Sequence, residues 1–222
     1  MELTFPEKPF RTHGGARVPH HKNTAQKQSV VMPVPGRVVL PVQQHVGAPC
    51  TPLVKKGDHV FVGQKIADSD AFVSAPIHAS VSGTVAGIEK VMLSDGQVLD
   101  AIAIDSDGLM EPYPELRPPK VYNLEDLVSA VRESGLVGLG GAGFPASVKL
   151  KVPPDKKLDT LIVNVAECEP YITADNREAI ENSQAVLDGI YTIKRILGLE
   201  RVIIAVENNK PDVIEVLRKI AD

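Results

Sequence analysis

The glycine-rich stretch from residue 135 to residue 149 contains the residues whose types and spacing most clearly suggest chemistry. Its glycines allow the backbone to approach a bulky ligand closely. Pro145 is a suitable first residue for a short helix, whose free N–H groups and positive dipole end favour a phosphate, and Lys149 is placed one turn into that helix to reach the same phosphate. The pattern predicts an anion-binding loop, and a glycine-rich turn that only lets two elements pack is the alternative. The five glycines are Gly135, Gly138, Gly140, Gly141 and Gly143.

Two known phosphate-binding motifs fit this loop poorly. The P-loop motif requires a GK[ST] sequence, and none follows the glycines. The dinucleotide motif GxGxxG requires a preceding strand, and the sequence before the loop predicts none.

A second group of polar residues follows the apolar run Thr160–Val165. Glu167 and Glu169 come at the predicted carboxyl end of this strand, where open α/β sheets bind their ligands. Beside a phosphate loop, these acids would hydrogen-bond ribose hydroxyls or an amide of a nucleotide, and Asn164 would contact a ring edge. The alternative is a solvated strand end in which Asn164 is a structural cap. Cys168 lies between the two acids, which disfavour its thiolate, so we expect a small buried residue and no reactive nucleophile.

The chain changes character near residue 115, which predicts two domains, 1–115 and 116–222. The first is read as an N-terminal arm followed by short β-strands that form a small barrel or sandwich. The segment 110–119 contains four prolines and is read as the linker. The predicted strands are Val30–Met32, Arg37–Leu40, His59–Val62, Phe72–Ala75, Gly83–Ile88 and Val98–Ile104.

The second domain has the alternating strands and helices of a parallel α/β sheet. Asn123 predicts the start of an amphipathic helix that stops at Gly135. The predicted elements that follow the glycine-rich loop are a strand at 160–165, one long helix at about 175–197 ended by Gly198, a strand at 201–206 and a helix entered through Pro211. Because two parallel strands are too few to stand alone, further strands must come from elsewhere.

Composition and charge narrow the class of protein. The 222 residues are 43% hydrophobic and 23% charged, which is typical of a globular chain and excludes extensive disorder. A net charge of −4 gives no electrostatic case for binding nucleic acid. No apolar run is long enough to cross a bilayer, and the N-terminus does not resemble a secretory signal. His13, His20 and His21 lie together, and a solvated or partner-docking arm is favoured there over a metal site.

The two polar motifs together are specific to a known family. The sequences GLGGAGFPASVK at 138–149 and NVAECEP at 164–170 resemble the FMN and NADH site of the flavoprotein subunit of respiratory complex I. The chain as a whole resembles RnfC, the C subunit of the Rnf electron-transport complex, which shares FPEKPFRTHGGARVPHHK near the N-terminus and AECEPYITADNRE in the nucleotide domain. The resemblance implies a peripheral subunit on the cytoplasmic side of the membrane, in which FMN passes electrons between NADH and 4Fe-4S clusters, with ferredoxin as an indirect partner.

The resemblance also assigns roles to individual residues. It implies that Gly138, Gly140, Gly141, Gly143, Lys149 and Asn164 hold FMN, that Phe144 stacks on the NADH adenine, and that Glu169, with Glu167 beside it, binds the dinucleotide. The complex I branch has Asp at the position of Ala166 and Trp at the position of Leu150. No side-chain acid or base is implied for hydride transfer, and no metal ligand is implied in this chain. RnfC proteins continue into cysteine-rich iron–sulfur motifs, so we expect the sequence to be an N-terminal part that is inactive by itself.

The first domain has its own resemblance, to the two hairpins of biotinyl and lipoyl carriers. Residues 54–67 and 74–88 are similar to these hairpins, and Asp68–Ala71 stand where a carrier has its modified lysine. A structural or docking module without a covalent cofactor is therefore expected. Two alternatives for the whole chain are a non-catalytic assembly module and a cobalamin reductase subunit of related architecture.

Overall fold

The computed structural model describes Gly14, Pro19 and residues 21–141, 143–153 and 155–221. These residues form two compact units. One unit runs from Met32 to Lys156, and the other combines the described residues up to Val31 with those from Lys157 onward. Each unit has its own hydrophobic core. The domain boundary predicted near residue 115 stays a prediction.

The unit from Met32 to Lys156 begins with short antiparallel strands. Their bounds are β1 Arg37–Pro41, β2 Thr51–Pro52, β3 His59–Val60, β4 Lys65–Asp68, β5 Ile77–His78, β6 Gly83–Met92 and β7 Val98–Ser106. One sheet has the order β1-β7-β6-β3 and the other has the order β2-β4-β5. The predicted all-β character of this part of the chain is therefore confirmed.

The core of this unit lies between the two sheets. Ile102 and Ile104 on β7, Val60 on β3 and Val85 on β6 face Ile66 on β4, and all five side chains are buried. Burying such side chains stabilises a fold by roughly 1.5–3 kcal/mol each. At the start of β6, Gly83 and Val85 are buried and Thr84 between them is exposed, as the twofold period of a strand predicts, whereas Ala101–Ile104 on β7 are all buried.

Two of the predicted strands are absent. Val30–Met32 is irregular and exposed, and Pro33 removes a backbone donor directly after it. Phe72–Ala75 also lies outside any strand, because Val73 contributes a single bond to a neighbouring loop, from the Ala48 N–H, instead of a ladder. The strand in this region is instead β5, two residues further on.

Two helices complete the unit and lead into the glycine-rich loop. They are α1, Leu124–Glu133, and α2, Ala146–Leu150. The Asn123 side chain accepts a hydrogen bond from the Asp126 N–H at 2.9 Å, as expected of an N-cap. Gly135, with φ of +71°, follows the end of α1, so the predicted start and stop of this helix are confirmed.

The hairpin tip that corresponds to the modified site of carrier domains is fastened to α1. Asp68 accepts a hydrogen bond from Arg132 Nη2 at 2.7 Å and one from Lys65 Nζ at 2.9 Å. Burial alone would raise the pKa of Asp68, but these two cations outweigh it and hold the pKa at about 2. Arg132 also donates to the Ser69 carbonyl at 2.7 Å. This tip is therefore a fixed structural contact between the β-sheets and α1.

The second unit is built on two parallel strands. Its elements are β8 Thr160–Val165, α3 Ala174–Glu181, α4 Ser183–Leu197, β9 Arg201–Val206 and α5 Pro211–Ala221. β8 and β9 pair in parallel from Thr160 opposite Arg201 to Val165 opposite Val206. One face of the pair packs on the helices, around the buried side chains of Leu187, Ile190 and Val213.

The prediction of a single long helix at about 175–197 is wrong. The helix is divided into α3 and α4 at Asn182, whose φ of −117° and ψ of +26° are not helical. The backbone bonds from the Asn182 N–H to the Glu178 carbonyl and from the Val186 N–H to the Asn182 carbonyl are kept, at 2.9 and 3.0 Å, so the division is a change of backbone angles at a residue of low helix propensity. The predicted end at Gly198 is confirmed by its φ of +64°. No helix in the described part of the chain is long and apolar enough to cross a bilayer.

Candidate functional site

The glycine-rich loop is closed at its base and open at its tip. At the base, the Gly138 N–H donates to the Phe144 carbonyl and the Ala146 N–H to the Leu136 carbonyl, both at 3.0 Å. At the tip, a Cβ added to Gly140 or Gly141 would meet no atom within 4 Å. The loop tip therefore contains two residues without side chains, Gly140 and Gly141, and the space beside both is open.

Lys149 on α2 points back over the base of the same loop. Its Nζ would lie 3.3 Å from a Cβ placed on Gly138, and the side chain is exposed. The structure therefore brings the predicted lysine and the predicted glycines together. Pro145 is the N-cap residue of α2, one position before the first helical residue, and α2 has only five residues.

The far end of the loop rests on the neighbouring loop of the β-sheets. Gly143 has φ of +68°, and its carbonyl accepts a hydrogen bond from the Val46 N–H at 3.1 Å. A Cβ on Gly143 would lie 3.2 Å from the Gln44 carbonyl oxygen and from the His45 Cα. Both its backbone angle and its close contacts therefore require glycine. Phe144, the next residue, is half-buried.

A buried polar cluster holds this supporting loop in place. The Ala75 N–H donates to His45 Nε2 at 3.2 Å, so Nδ1 carries the ring proton and donates to the Val46 carbonyl at 3.2 Å. Ser74 Oγ lies 3.4 Å from the same Nε2, and the Cys50 thiol donates to the Ala75 carbonyl at 3.2 Å. Burial raises the pKa of the Cys50 thiol. These contacts fix the ring of His45 against Val46, whose N–H makes the hydrogen bond to the Gly143 carbonyl.

A cavity of 760 Å³ adjoins the other side of this region, between the hairpin tip and the helices. Its walls include Phe72, Leu124 and Val128, with Ser147 and Lys151 from α2 and its end. Lys151 Nζ lies 4.8 Å from the centre of the Phe72 ring, which is a cation–π contact.

The polar residues after β8 occupy two different environments. Asn164 and Glu169 are exposed, and Asn164 Oδ1 accepts a hydrogen bond from the Ala166 N–H at 3.0 Å. Glu167 is 4% exposed. Cys168 is exposed, so the expectation that it is a small buried residue is wrong; the chain turns outward immediately after Glu167.

The Glu167 carboxylate is held in a buried ion pair. Lys210 Nζ donates to its Oε2 at 2.6 Å, and Lys210 is itself only 5% exposed. Lys22 Nζ lies 3.8 Å from the same oxygen, while Oε1 accepts the Asp175 N–H at 2.9 Å. Burial, followed by the charges of Glu167 and Glu169, raises the pKa of Asp175. Three acids therefore lie close together, and Glu167 is paired with two lysines inside the unit.

The predicted site residues fall into two groups. The structure places the glycines, Phe144 and Lys149 in the first unit, and Asn164, Glu167 and Glu169 in the second. Their predicted contacts with a cofactor stay predictions. The open, side-chain-free tip and the Lys149 ammonium over the base leave room and positive charge for an anionic group such as a phosphate.

Sequence reasoning missed Lys22, Lys210 and His45. Lys22 and Lys210 are separated from Glu167 by 145 and 43 positions, and neither forms a motif with it. The only sequence signal near Lys210 is Pro211, which marks the start of the next helix. His13 and His20 lie outside the described residues, whereas the ring of His21 stacks on Tyr171 at a centroid distance of 5.7 Å.

Two family descriptions match consecutive parts of the chain. Residues 10–109 match the RnfC barrel sandwich hybrid domain, and residues 131–222 match the Nuo51 FMN-binding domain. The second match includes both the glycine-rich loop and the polar residues after β8.

Curated relatives match across both parts. The chain is 47% identical to the C subunit of the proton-translocating ferredoxin:NAD(+) oxidoreductase complex of Clostridium ljungdahlii, over 89% of this chain and 44% of that protein. It is 43% identical to the Na(+)-translocating counterpart of Acetobacterium woodii, over 93% of this chain and 47% of that protein. It is 39% identical to the C subunit of the ion-translocating oxidoreductase complex of Rhodobacter capsulatus, over 98% of this chain and 43% of that protein. The chain thus spans a little under half the length of these relatives.

Proposed function

We propose, from the premise that this chain belongs to the RnfC family, that it forms the flavin- and NADH-binding part of a ferredoxin:NAD oxidoreductase. The observation that carries the proposal is the single FMN-binding-domain match over residues 131–222, which contains both polar motifs. The open glycine tip and the Lys149 ammonium over the loop base support it from the structure. The names of the relatives supply the reaction class, which is electron transfer between NADH and ferredoxin coupled to ion translocation.

The glycine-rich loop would bind the phosphate end of FMN. Gly138, Gly140, Gly141 and Gly143 leave the backbone accessible, and Lys149 supplies a positive charge. Bound FMN supplies the ability to exchange a hydride with NADH and single electrons with iron–sulfur centres. The chain's own contribution is to bind and orient the rings, so no side-chain acid or base is required.

The residues after β8 would bind the dinucleotide. Glu169 is exposed and can accept hydrogen bonds from ribose hydroxyls, and Asn164 is exposed on the strand itself. Glu167 is buried against Lys210, so its contribution would be to support the loop from inside the unit. Phe144, which the structure leaves half-buried, would stack on the adenine.

The remaining features of the family are part of the same proposal. The β-rich domain, 1–115, would contact other Rnf subunits at the cytoplasmic face of the membrane, and the domain at 116–222 would hold the nucleotides on a larger parallel sheet. The 4Fe-4S clusters would be bound by parts of the full-length protein other than this chain. The hairpin tip fastened by Arg132 favours a structural role for the β-rich domain, because a carrier tip must be free to move. An intact mass that carries a lipoyl or biotinyl increment would contradict that role.

A flavin titration with matched glycine variants tests the proposal. The full-length protein is titrated with FMN, flavin fluorescence is followed, and NADH is then added without oxygen. Saturable quenching followed by bleaching of the visible spectrum is expected. Gly141→Val is expected to abolish binding because the side chain would occupy the ligand's space. Gly36→Val, at another glycine whose added Cβ meets nothing within 4 Å, is the control. Equal FMN binding by the wild type and Gly141→Val would show that the loop is not the flavin site.

A further inference from the structure

We propose that residues 21–29, here called the arm, hold the loop 166–173 in its binding shape, and that Lys22 is the positioning residue that fixes the backbone at Glu169. The arm and the loop both belong to the second unit. The effect on dinucleotide binding rests on the proposed function of Glu169, whereas the effect on the loop itself does not.

Lys22 contacts the loop on both sides of Tyr171. Its Nζ donates to the Glu169 carbonyl at 2.9 Å and to the Ile172 carbonyl at 2.6 Å. The third contact is the buried Glu167 carboxylate at 3.8 Å. Two of the three donors of the ammonium group thus reach carbonyls of this short loop, and the carboxylate beneath them is an ion-pair partner. One side chain therefore connects the buried ion pair to the backbone of the exposed residues.

The segment between these two carbonyls is strained. Tyr171 has φ of +69°, in the left-handed region that side-chain-bearing residues seldom adopt. Such a conformation persists only when the surrounding structure imposes it. Lys22 binds the carbonyls on either side of Tyr171, and the ring of His21 stacks on the Tyr171 ring. The arm thus supplies the contacts that this backbone conformation requires.

The rest of the arm is attached along α3 as well. Thr24 Oγ1 and Thr173 Oγ1 are 2.6 Å apart, at the residue that precedes α3. The Ala25 carbonyl accepts hydrogen bonds from Arg177 Nη1 at 3.1 Å and Asn176 Nδ2 at 3.3 Å. The Ser29 N–H donates to Glu181 Oε1 at 3.0 Å, near the end of the helix. These contacts place Lys22 at the end of an ordered attachment, which reduces the entropy cost of holding its long side chain over the loop.

The functional consequence concerns preorganisation. Lys22 binds the backbone carbonyl of Glu169, while the side chain of Glu169 is exposed to solvent. A binding group held in its productive position gains affinity because less ordering remains to be done when the ligand arrives. Without Lys22, the strained loop would relax, and Glu169 would be displaced while the glycine-rich loop stayed unchanged.

The test uses Lys22→Met in the full-length protein, with Lys22→Arg as the conservative variant. The control is Lys27→Met, since Lys27 is exposed in the same arm and its ammonium makes no hydrogen bond or ion pair with the described residues. For Lys22→Met we expect the KM for NADH to rise roughly tenfold, with kcat, FMN content and FMN affinity unchanged. Lys22→Arg should recover part of this increase, and Lys27→Met should behave as the wild type.

Hydrogen–deuterium exchange of the nucleotide-free protein gives a readout that is independent of function. Exchange of residues 166–176 should accelerate at least tenfold in Lys22→Met and stay unchanged in Lys27→Met. Unchanged exchange in Lys22→Met would overturn the proposal. Faster exchange together with an unchanged KM would support the arm's hold on the loop and would contradict the assignment of Glu169 to NADH. Should Lys22→Met not fold, Thr24→Val removes the neighbouring attachment and must produce the same changes to a smaller extent.

Discussion

The glycine-rich loop is held by backbone hydrogen bonds and a neutral histidine cluster, whereas the loop after β8 is held by buried charges. The first leaves Gly140 and Gly141 without neighbours and Leu139 90% exposed. The second encloses Glu167 and Lys210 almost completely. The hydrogen bonds of the first loop lie at its base, so a change at its tip leaves them in place. In the second loop, loss of either partner of the buried ion pair leaves an uncompensated buried charge, which is strongly destabilising. The two loops should therefore respond differently to mutation: variants at the open tip of the first should lose binding without losing stability, and variants of the ion pair beneath the second should lose both.

The largest expected effect is on stability, from Lys210→Met. Removing this partner leaves the Glu167 carboxylate buried, with Lys22 as the nearest remaining cation at 3.8 Å. We expect the free energy of unfolding to fall by about 3 kcal/mol or more in denaturant titrations. Adding Glu167→Gln should restore part of this loss, because the uncompensated charge is then removed.

A matched variant at the protein surface sharpens this measurement. Lys219 pairs with Glu215 at 2.6 Å across one turn of α5, and both side chains are largely exposed. Lys219→Met should therefore change the free energy of unfolding by less than about 0.5 kcal/mol. Equal losses for the two lysine variants would show that the pair beneath the loop is not a buried charge in solution.

The next effect separates two glycines of the same loop. Gly143→Val forces a β-branched side chain into a left-handed backbone and against the Gln44 carbonyl, so we expect a loss of about 2 kcal/mol. Gly141→Val has open space and should change stability by less than about 0.5 kcal/mol. Thermal unfolding of both variants checks the contrast. Similar destabilisation by both would mean that the tip is packed and not open.

A smaller effect with a defined pH dependence is expected at the hairpin tip. Because Arg132 and Lys65 lower the pKa of Asp68 from 3.8 to about 2, the folded state favours the ionised form. The resulting stability is fully present above about pH 4 and is lost as the pH falls through 2. Allowing for solvent screening of a side chain that is 23% exposed, Asp68→Asn should cost about 1–2 kcal/mol at pH 7.

The pH series provides the check for this prediction. The difference between the wild type and Asp68→Asn should shrink as the pH falls through 2 and disappear below it, where both side chains are neutral in the folded protein. Asp70→Asn is the matched control, since Asp70 is exposed two residues further along the same hairpin. A difference that persisted unchanged below pH 2 would point to packing, and not charge, as the role of Asp68.

The sequence predicted the elements that depend on local signals. Asn123, Gly135 and Gly198 mark helix ends by their own chemistry, and the apolar runs of β8 and β9 are evident without a structure. The glycine-rich loop and its lysine were predicted for the same reason, since Gly138 and Lys149 lie only 11 positions apart.

What the sequence could not predict depends on contacts between distant residues. The segment with His13, His20 and His21 was predicted to be solvated or to dock a partner, yet the ring of His21 stacks on Tyr171 and the adjacent Lys22 lies against the Glu169 carbonyl. The environment of Glu167 is set by Lys210, which forms no motif with it. Each of these depends on a partner that lies far away in the sequence, which a local pattern does not contain.

The smallest expected effect on stability belongs to Lys149→Gln, which should nevertheless weaken flavin binding strongly. Lys149 is exposed on a five-residue helix, so its replacement should change the free energy of unfolding by less than about 0.5 kcal/mol. Loss of a charged hydrogen bond to a phosphate should raise the Kd for FMN by roughly tenfold or more. Lys151→Gln, two residues further along and directed to Phe72, is the control and should leave the Kd unchanged. If Lys151→Gln raised the Kd and Lys149→Gln did not, the flavin phosphate would bind in the cavity beside Lys151 and not at the glycine-rich loop.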